Sequence, residues 1–322
     1  MTVPGSSSPP PPDGPIGDHV VRRQAWATLG RRPGSDWSQE DIQAAADAGG
    51  PIPPDEVLDI YRPLCGLLLV HRESRAAADR SLDGFFGRQG PVRPFMIGVT
   101  GSVAVGKTTS ARVIAELLRR SSGRPTVDLI TTDGFLHPNR VLEERGLMAQ
   151  KGFPESYDQV ALIAALRAVR SGAAEVAVPV YSHASYDIVA DRLQLVRGPD
   201  IVIVEGLNVL QVHGGTDPPD GEVVSDYLDA SVYVDASEDH LAGWFHDRLL
   251  ALRDEPPHRS NAFLQWFSSL SDTEAEAVAE QTWSTINLVN LRDHVAPSRP
   301  RADVVLRKDA DHRVNHVLVQ RR

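Results

Sequence analysis

From residue 18 to about residue 92 the apolar positions recur at helical intervals. Val57, Tyr61, Leu64 and Leu68 are spaced by four, three and four, which places them on one face of a helix. The longest apolar run, Leu64 to Val70, is followed at once by His71, Arg72 and Glu73, so it reads as a buried helix. Turn residues across Gly87 to Pro94 end this helical portion. The pattern then changes. Phe95-Met96-Ile97-Gly98-Val99 is short, continuously apolar and flanked by Pro94 and Gly101, as a strand buried on both faces would be. A helix is expected from about Thr108, with Val113, Ile114, Leu117 and Leu118 on one side. Val127 to Ile130, Ile201 to Val204, Ala230 to Val234 and Val304 to Leu306 repeat the strand signature, and Gln159 to Val169 the helical one.

Strands alternating with helices predict an α/β fold with a mostly parallel sheet covered by helices on both faces. The organisation expected is a Pro/Ser-rich disordered tail over residues 1–17, an N-terminal helical segment over 18–92 packed on the core, and the core itself over 93–322. With 322 residues, 41% of them hydrophobic, the chain can bury a full core. No stretch approaches the ~20 apolar residues that a spanning helix needs. The first fifteen residues carry no basic region followed by an apolar one, so they do not read as a secretory signal. A single cysteine, Cys65, excludes an intrachain disulfide and a cysteine-cluster metal site. Together these point to the cytoplasm. The net charge of −10 disfavours a nucleic-acid partner, so an anionic substrate must be held by a few placed cations.

The strongest chemical signal is Gly101-Ser102-Val103-Ala104-Val105-Gly106-Lys107-Thr108, followed by Thr109. It fits the phosphate-loop pattern and sits in the right context, after a buried strand and before an amphipathic helix. Gly101 and Gly106 permit backbone conformations that a side chain would block. The loop N–H groups can then converge on phosphate oxygens, with the helix N-terminus adding partial positive charge. Lys107 would reach the β- and γ-phosphates of ATP, and the Thr108 hydroxyl would ligate Mg²⁺. Asp133, after the second strand, lies where open α/β sheets bind ligands and is a candidate base for a substrate hydroxyl. Glu205 ends the third strand and is a second candidate to hold Mg²⁺.

The segments GSVAVGKTT, TTDGFLHPN, ERGLM, KGFPESYD, PVYSHASYD, PDIVIVEGLNVLQ and RKDADH, in this order, resemble the bacterial type I pantothenate kinases from about residue 18 to the C-terminus. The phosphate loop is shared by many nucleotide-hydrolysing proteins; TTDGF with KGFPESYD and VYSH is far more specific. The resemblance implies ATP-dependent phosphorylation of pantothenate to 4′-phosphopantothenate, the first step towards coenzyme A. It implies that Lys107 stabilises the transferring phosphate, that Asp133 is the general base and that Arg248 balances charge. Tyr181, His183, Tyr186 and Asn287 would line the pantothenate pocket, and Arg112 would contact coenzyme A as feedback inhibitor. Family members are homodimers, so a homodimer is expected.

The chain departs from the family at several points. Phe245 follows Trp244 where the family usually has tyrosine, Leu252 replaces an aromatic residue, and Arg253 to Phe267 differs from the usual lid. IVADRLQLV lacks the usual Pro-Gly turn after PVYSHASYD. The phosphate-transfer residues are intact while the pocket and lid are altered. Two alternatives therefore stay open: a related small-molecule kinase resembling uridine kinase or phosphoribulokinase, and a non-catalytic regulator that binds nucleotide or coenzyme A.

Overall fold

The computed structural model describes residues 19–29, 36–50, 52–87, 90, 92–212, 221–254 and 262–320. The proline-rich tail and residues 255–261 of the altered lid lie outside them.

The chain enters on strand β1 (His19–Arg22) and helix α1 (Arg23–Thr28), followed by α2 (Gln39–Gly49). A long helical run comes next: α3 (Pro54–Glu56), a π-helical turn (Val57–Tyr61) and α4 (Arg62–Phe86). Then come β2 (Phe95–Gly101), α5 (Lys107–Arg119), β3 (Val127–Thr131), α6 (Asn139–Glu144) and α7 (Gln159–Arg170). A hairpin of β4 (Val176–Ser182) and β5 (Asp187–Val196) precedes β6 (Ile201–Glu205) and β7 (Ala230–Asp235). The last elements are α8 (Glu238–Asp254), α9 (Ala262–Phe267), α10 (Asp272–Thr282), α11 (Leu288–Asn290), β8 (Val304–Lys308) and β9 (Val314–Val319).

The main sheet has the order β1-β9-β8-β7-β2-β6-β3. Its five parallel strands, β8, β7, β2, β6 and β3, are those the apolar runs predict. Alternate residues of each feed opposite cores. Ile97, Val99, Ile201 and Ile203 meet Val113, Ile114, Leu117 and Leu118 of α5 and the N-terminal helices. Met96, Ile130, Val202 and Val204 meet Leu162, Ile163, Leu166 and Val169 of α7. A strand that must satisfy two cores has no polar alternation, which is why these five were readable. β4 and β5 form a separate two-stranded sheet.

The N-terminal segment differs from a purely helical one. β1 adds to the sheet edge, antiparallel to β9, which is itself antiparallel to β8. Val57, Tyr61, Leu64 and Leu68 are all buried, as their spacing predicts, and so is Cys65. The Tyr61 hydroxyl pairs with the Ser110 hydroxyl of α5 at 2.8 Å, and the Trp37 indole donates to the Leu117 carbonyl at 2.7 Å. Each such bond contributes about 1 kcal/mol net, so burial of the apolar face does most to hold the segment down. No described helix is long and apolar enough to cross a membrane.

Sheet order also locates the site. Leaving β2, the chain builds β3 and β6 on one side and then β7 and β8 on the other. The order reverses at β2, and ligands of open α/β sheets bind at such a switch point, beyond the carboxyl ends of the strands.

Candidate active site

β2 ends at Gly101 and α5 begins at Lys107, so the loop between them crosses the switch point. Gly106 has φ +90°, in the left-handed region, and a Cβ there would lie 2.8 Å from the Lys308 Nζ. Lys308 reaches under the loop from the end of β8 and donates to the Val105 carbonyl at 2.9 Å. Burial lowers its pKa to about 8, although Glu56 pulls the other way. A second cation therefore stands behind the phosphate loop. It ends the RKDADH motif's strand, yet no spacing rule marks it in the sequence.

Lys107 donates to the Ser102 carbonyl at 2.8 Å, folded back across the loop. Burial lowers its pKa; the carboxylates of Glu205 and Asp133 oppose that, and Arg248 adds to it. The Thr108 hydroxyl donates to Glu205 Oε2 at 3.1 Å, joining the first turn of α5 to the end of β6. Glu205 is buried, which raises its pKa; Lys107 acts against this and Asp133 with it. A buried carboxylate beside a hydroxyl, facing a triphosphate site, fits Mg²⁺. That ion takes one or two protein oxygens and fills its octahedron with phosphate and water. Consistently, no cluster of three or more His, Cys, Asp or Glu among the described residues could cage a metal by itself.

Asp133 sits in a short 3-10 turn, Thr132–Phe135, directly after β3. Gly134 is required there: a Cβ would lie 2.3 Å from the Pro179 carbonyl of β4. That close approach joins the TTDGF turn to the hairpin carrying Tyr181, His183 and Tyr186. Tyr157, buried, donates to Asp133 Oδ1 at a long 3.4 Å. Burial, then the Asp133 charge, raises the Tyr157 pKa, so it remains a neutral donor.

The hairpin forms an aromatic corner. The Tyr181 ring meets His183 edge-on at 5.2 Å and Tyr186 at 6.4 Å. Lys151 lies over both tyrosine rings, 4.0 Å from the Tyr186 centroid and 5.1 Å from that of Tyr181. Its ammonium donates to Asn139 Oδ1 (2.6 Å) and the Tyr186 carbonyl (2.5 Å). An ammonium has three donors, so a third remains for a ligand. Burial lowers the Lys151 pKa to about 8, against the pull of Asp187 and Asp133. At His183 partial desolvation lowers the pKa; Asp133 opposes this, while Arg248, Lys107 and Arg112 add to it. The Asp133 charge thus acts on Lys107 and Glu205 on one side and on Lys151, Tyr181 and His183 on the other.

A cavity of about 760 Å³ runs from the phosphate loop to the N-terminal segment. Lys107, Thr108, Thr109, Arg112, His183 and Arg248 line it, with Lys308 and His312 on the far wall. His312 stacks on Trp244, with centroids 3.9 Å apart. Arg112 and Arg248 are solvent-exposed at this wall. Asn287, also predicted for the site, lies in the helical segment that follows α10. It closes a π-helical turn, Trp283–Asn287, one turn before Asn290. Asn290 donates to the Gly152 carbonyl at 2.9 Å, next to Lys151, but no described contact joins Asn287 itself to the cluster. Phe245 packs near Trp283, with centroids 5.9 Å apart, and Phe267 of the altered segment is buried with Leu249, Ala275 and Ala279. Lys151, Tyr157 and Lys308 are the site residues that sequence reasoning did not single out, although the first two lie within the KGFPESYD motif and the third within RKDADH.

The family model of the Phosphoribulokinase / Uridine kinase family matches residues 96–245. A pantothenate kinase of Rhodopseudomonas palustris is 46% identical over 305 residues, covering 94% of this chain and 95% of that protein. One of Rhodococcus erythropolis is 44% identical, covering 93% and 95%, and one of Rhizobium etli 41%, covering 94% and 92%. Among solved structures, the D-glycerate 3-kinase of Cryptococcus neoformans matches with TM-score 0.53 at 12% identity, covering 79% of this chain and 97% of that one. At that identity the likeness speaks for the fold alone.

Proposed function

The chain belongs to the pantothenate kinase family, and on that premise we propose that it transfers the γ-phosphate of ATP to the primary alcohol of pantothenate, giving 4′-phosphopantothenate and ADP. One observation carries the reading: the Asp133 charge acts both on the phosphate-loop cation Lys107 and on the corner of Lys151, Tyr181 and His183, and Tyr157 donates to its carboxylate.

ATP lies along the loop Gly101–Thr109, with its phosphates against the loop N–H groups and Lys107. Thr108 and Glu205 would hold Mg²⁺, which would supply positive charge to the phosphates. Pantothenate enters on the hairpin side, where Tyr181, His183, Tyr186 and Asn287 shape the pocket. Asp133 takes the proton of the alcohol as its oxygen bonds to the γ-phosphorus. The bond from that phosphorus to the bridging oxygen of ADP breaks in line. Lys107, Arg248 and the loop N–H groups balance the charge on the transferring group. Arg112 lines the same cavity, so coenzyme A held by it would exclude the nucleotide.

Pantothenate carries a carboxylate, and Lys151 is the cation placed to meet it. In the free enzyme Lys151 loses its proton as pH rises through about 8. Its charge, and the binding it supports, are present below that pH and lost above it. kcat/KM for pantothenate is therefore expected to fall above about pH 8, and Lys151→Ala to remove that fall while raising KM about tenfold, the loss of ~1.5 kcal/mol from one charge-assisted hydrogen bond. An unchanged alkaline limb in the variant would remove Lys151 from this role.

The substrate assignment is tested by ADP release from purified protein against a panel of alcohols. Pantothenate should be turned over in preference to uridine, ribulose 5-phosphate and glycerate. Turnover of uridine with none of pantothenate would reject it, and no turnover of any alcohol would favour a binding protein without catalysis.

A further inference from the structure

Glu56 places a carboxylate where the core would accept an apolar side chain. It closes α3 ahead of the π-helical turn and is 4% exposed, next to buried Val57, Ile60 and Tyr61. Burying a charge is costly, and an ion pair inside a protein seldom adds stability over apolar residues of the same volume. Both of its oxygens are engaged. Oε1 accepts from the Val314 N–H at 2.9 Å, 258 residues along the chain. Oε2 accepts from Arg23 of α1 and lies 3.5 Å from Arg313 Nε. Each guanidinium also has a carboxylate of its own: Arg23 donates to Asp59 at 2.8 Å, and Arg313 donates to Asp55. Arg23 donates in addition to the Val314 carbonyl at 3.3 Å. Glu56 and Arg23 together therefore hold both backbone groups of the first residue of β9.

Val314 is the cross-strand partner of Lys308. β8 and β9 pair Arg307 with His316 but Lys308 with Val314, so Asn315 is an extra residue in β9. Such a bulge re-aims side chains and interrupts the ladder, which leaves the pair in need of another anchor. Lys308, beyond the bulge, donates to the Val105 carbonyl at 2.9 Å. The peptide joining Val105 to Gly106 is planar and trans, so its N–H points opposite to its carbonyl. Holding that carbonyl on Lys308 turns the Gly106 N–H the other way and fixes the orientation of one phosphate-loop donor. Glu56 supports Lys308 in charge as well, since its carboxylate favours the ammonium form against burial. We propose that Glu56 is a positioning residue for the triphosphate: by clamping Val314 it holds Lys308 against the Val105 carbonyl and so keeps the phosphate loop in its binding shape. The proposal rests on the reading of that loop as the ATP site and is independent of pantothenate.

The probe is inorganic tripolyphosphate, titrated into the full chain by calorimetry in the absence of pantothenate. Glu56→Ala, in a preparation that still melts cooperatively, should raise its Kd about tenfold, the scale of one hydrogen bond to a charged group. Lys308→Met should raise it by a similar factor. The double variant should bind no more weakly than Lys308→Met alone, because the two residues act along one line of contacts. A residue that only braced the fold would instead add its loss to that of Lys308. Should Glu56→Ala not fold, Glu56→Gln decides. It keeps the volume but sets an amide N–H group against two guanidiniums, so binding should weaken about threefold or more. If the native chain binds tripolyphosphate and the folded Glu56 variant binds it equally well, or if the two losses add, the assignment is overturned while the ATP reading stands. A native chain that leaves tripolyphosphate unbound would overturn the ATP reading and this assignment with it.

Discussion

Asp133→Asn is expected to bind ATP as the native chain does and to phosphorylate pantothenate about 10²–10⁴-fold more slowly, the usual contribution of a positioned general base. The substitution keeps the shape of the side chain. The 3-10 turn Thr132–Phe135, the close approach of Gly134 to Pro179 and the Tyr157 hydroxyl bond to Oδ1 can all persist. What disappears is the lone pair that accepts the alcohol proton. The carboxylate charge that favours the protonated forms of Lys107, Lys151 and His183 against burial goes as well. The measurement is steady-state kcat beside ATP affinity by titration calorimetry. Near-native turnover with native ATP affinity would mean that the proton leaves by another route.

Lys107→Ala is expected to lower kcat about 10²–10³-fold, the scale for removing one preorganised donor from a developing charge. The cation sits at the mouth of α5, folded onto the Ser102 carbonyl. Burial works against its charge, and Glu205 and Asp133 sustain it. A lysine in so enclosed a place, its charge favoured by two carboxylates, is poised for an anion stronger than a backbone carbonyl. Its loss also deprives buried Glu205 of the cation that does most to lower its pKa, so the Thr108–Glu205 pair should hold metal less well. Lys107→Met, which keeps most of the packing volume, separates charge from shape. If it turns over like the native enzyme, the charge of Lys107 plays no part in transfer.

Both residues were legible in the sequence, and for a physical reason. A phosphate loop needs glycine at fixed places and a strand and a helix around it, so its signature is local. The five parallel strands were legible because burial on both faces removes the polar alternation. The strands that were not read lie at the antiparallel side of the main sheet or in the hairpin. β9 buries Val314 and Val317 but leaves its intervening positions half-exposed, and β5 buries only Val196. Such mixed patterns do not stand out from loop. β1 gains its strand character from pairing with β9 almost three hundred residues away, which no local window reports. The same limit governs the site. Lys308 and Lys151 matter because β8 carries one beneath the loop and a turn carries the other over two tyrosine rings. Neither fact has a spacing in the chain.

The most direct test is a single-turnover reaction of the native enzyme with γ-labelled ATP, magnesium and pantothenate. One labelled phosphomonoester on the primary alcohol per ADP released, with no ADP released when pantothenate is omitted, is the predicted result. Label appearing only as inorganic phosphate, or ADP formed equally without pantothenate, would contradict it.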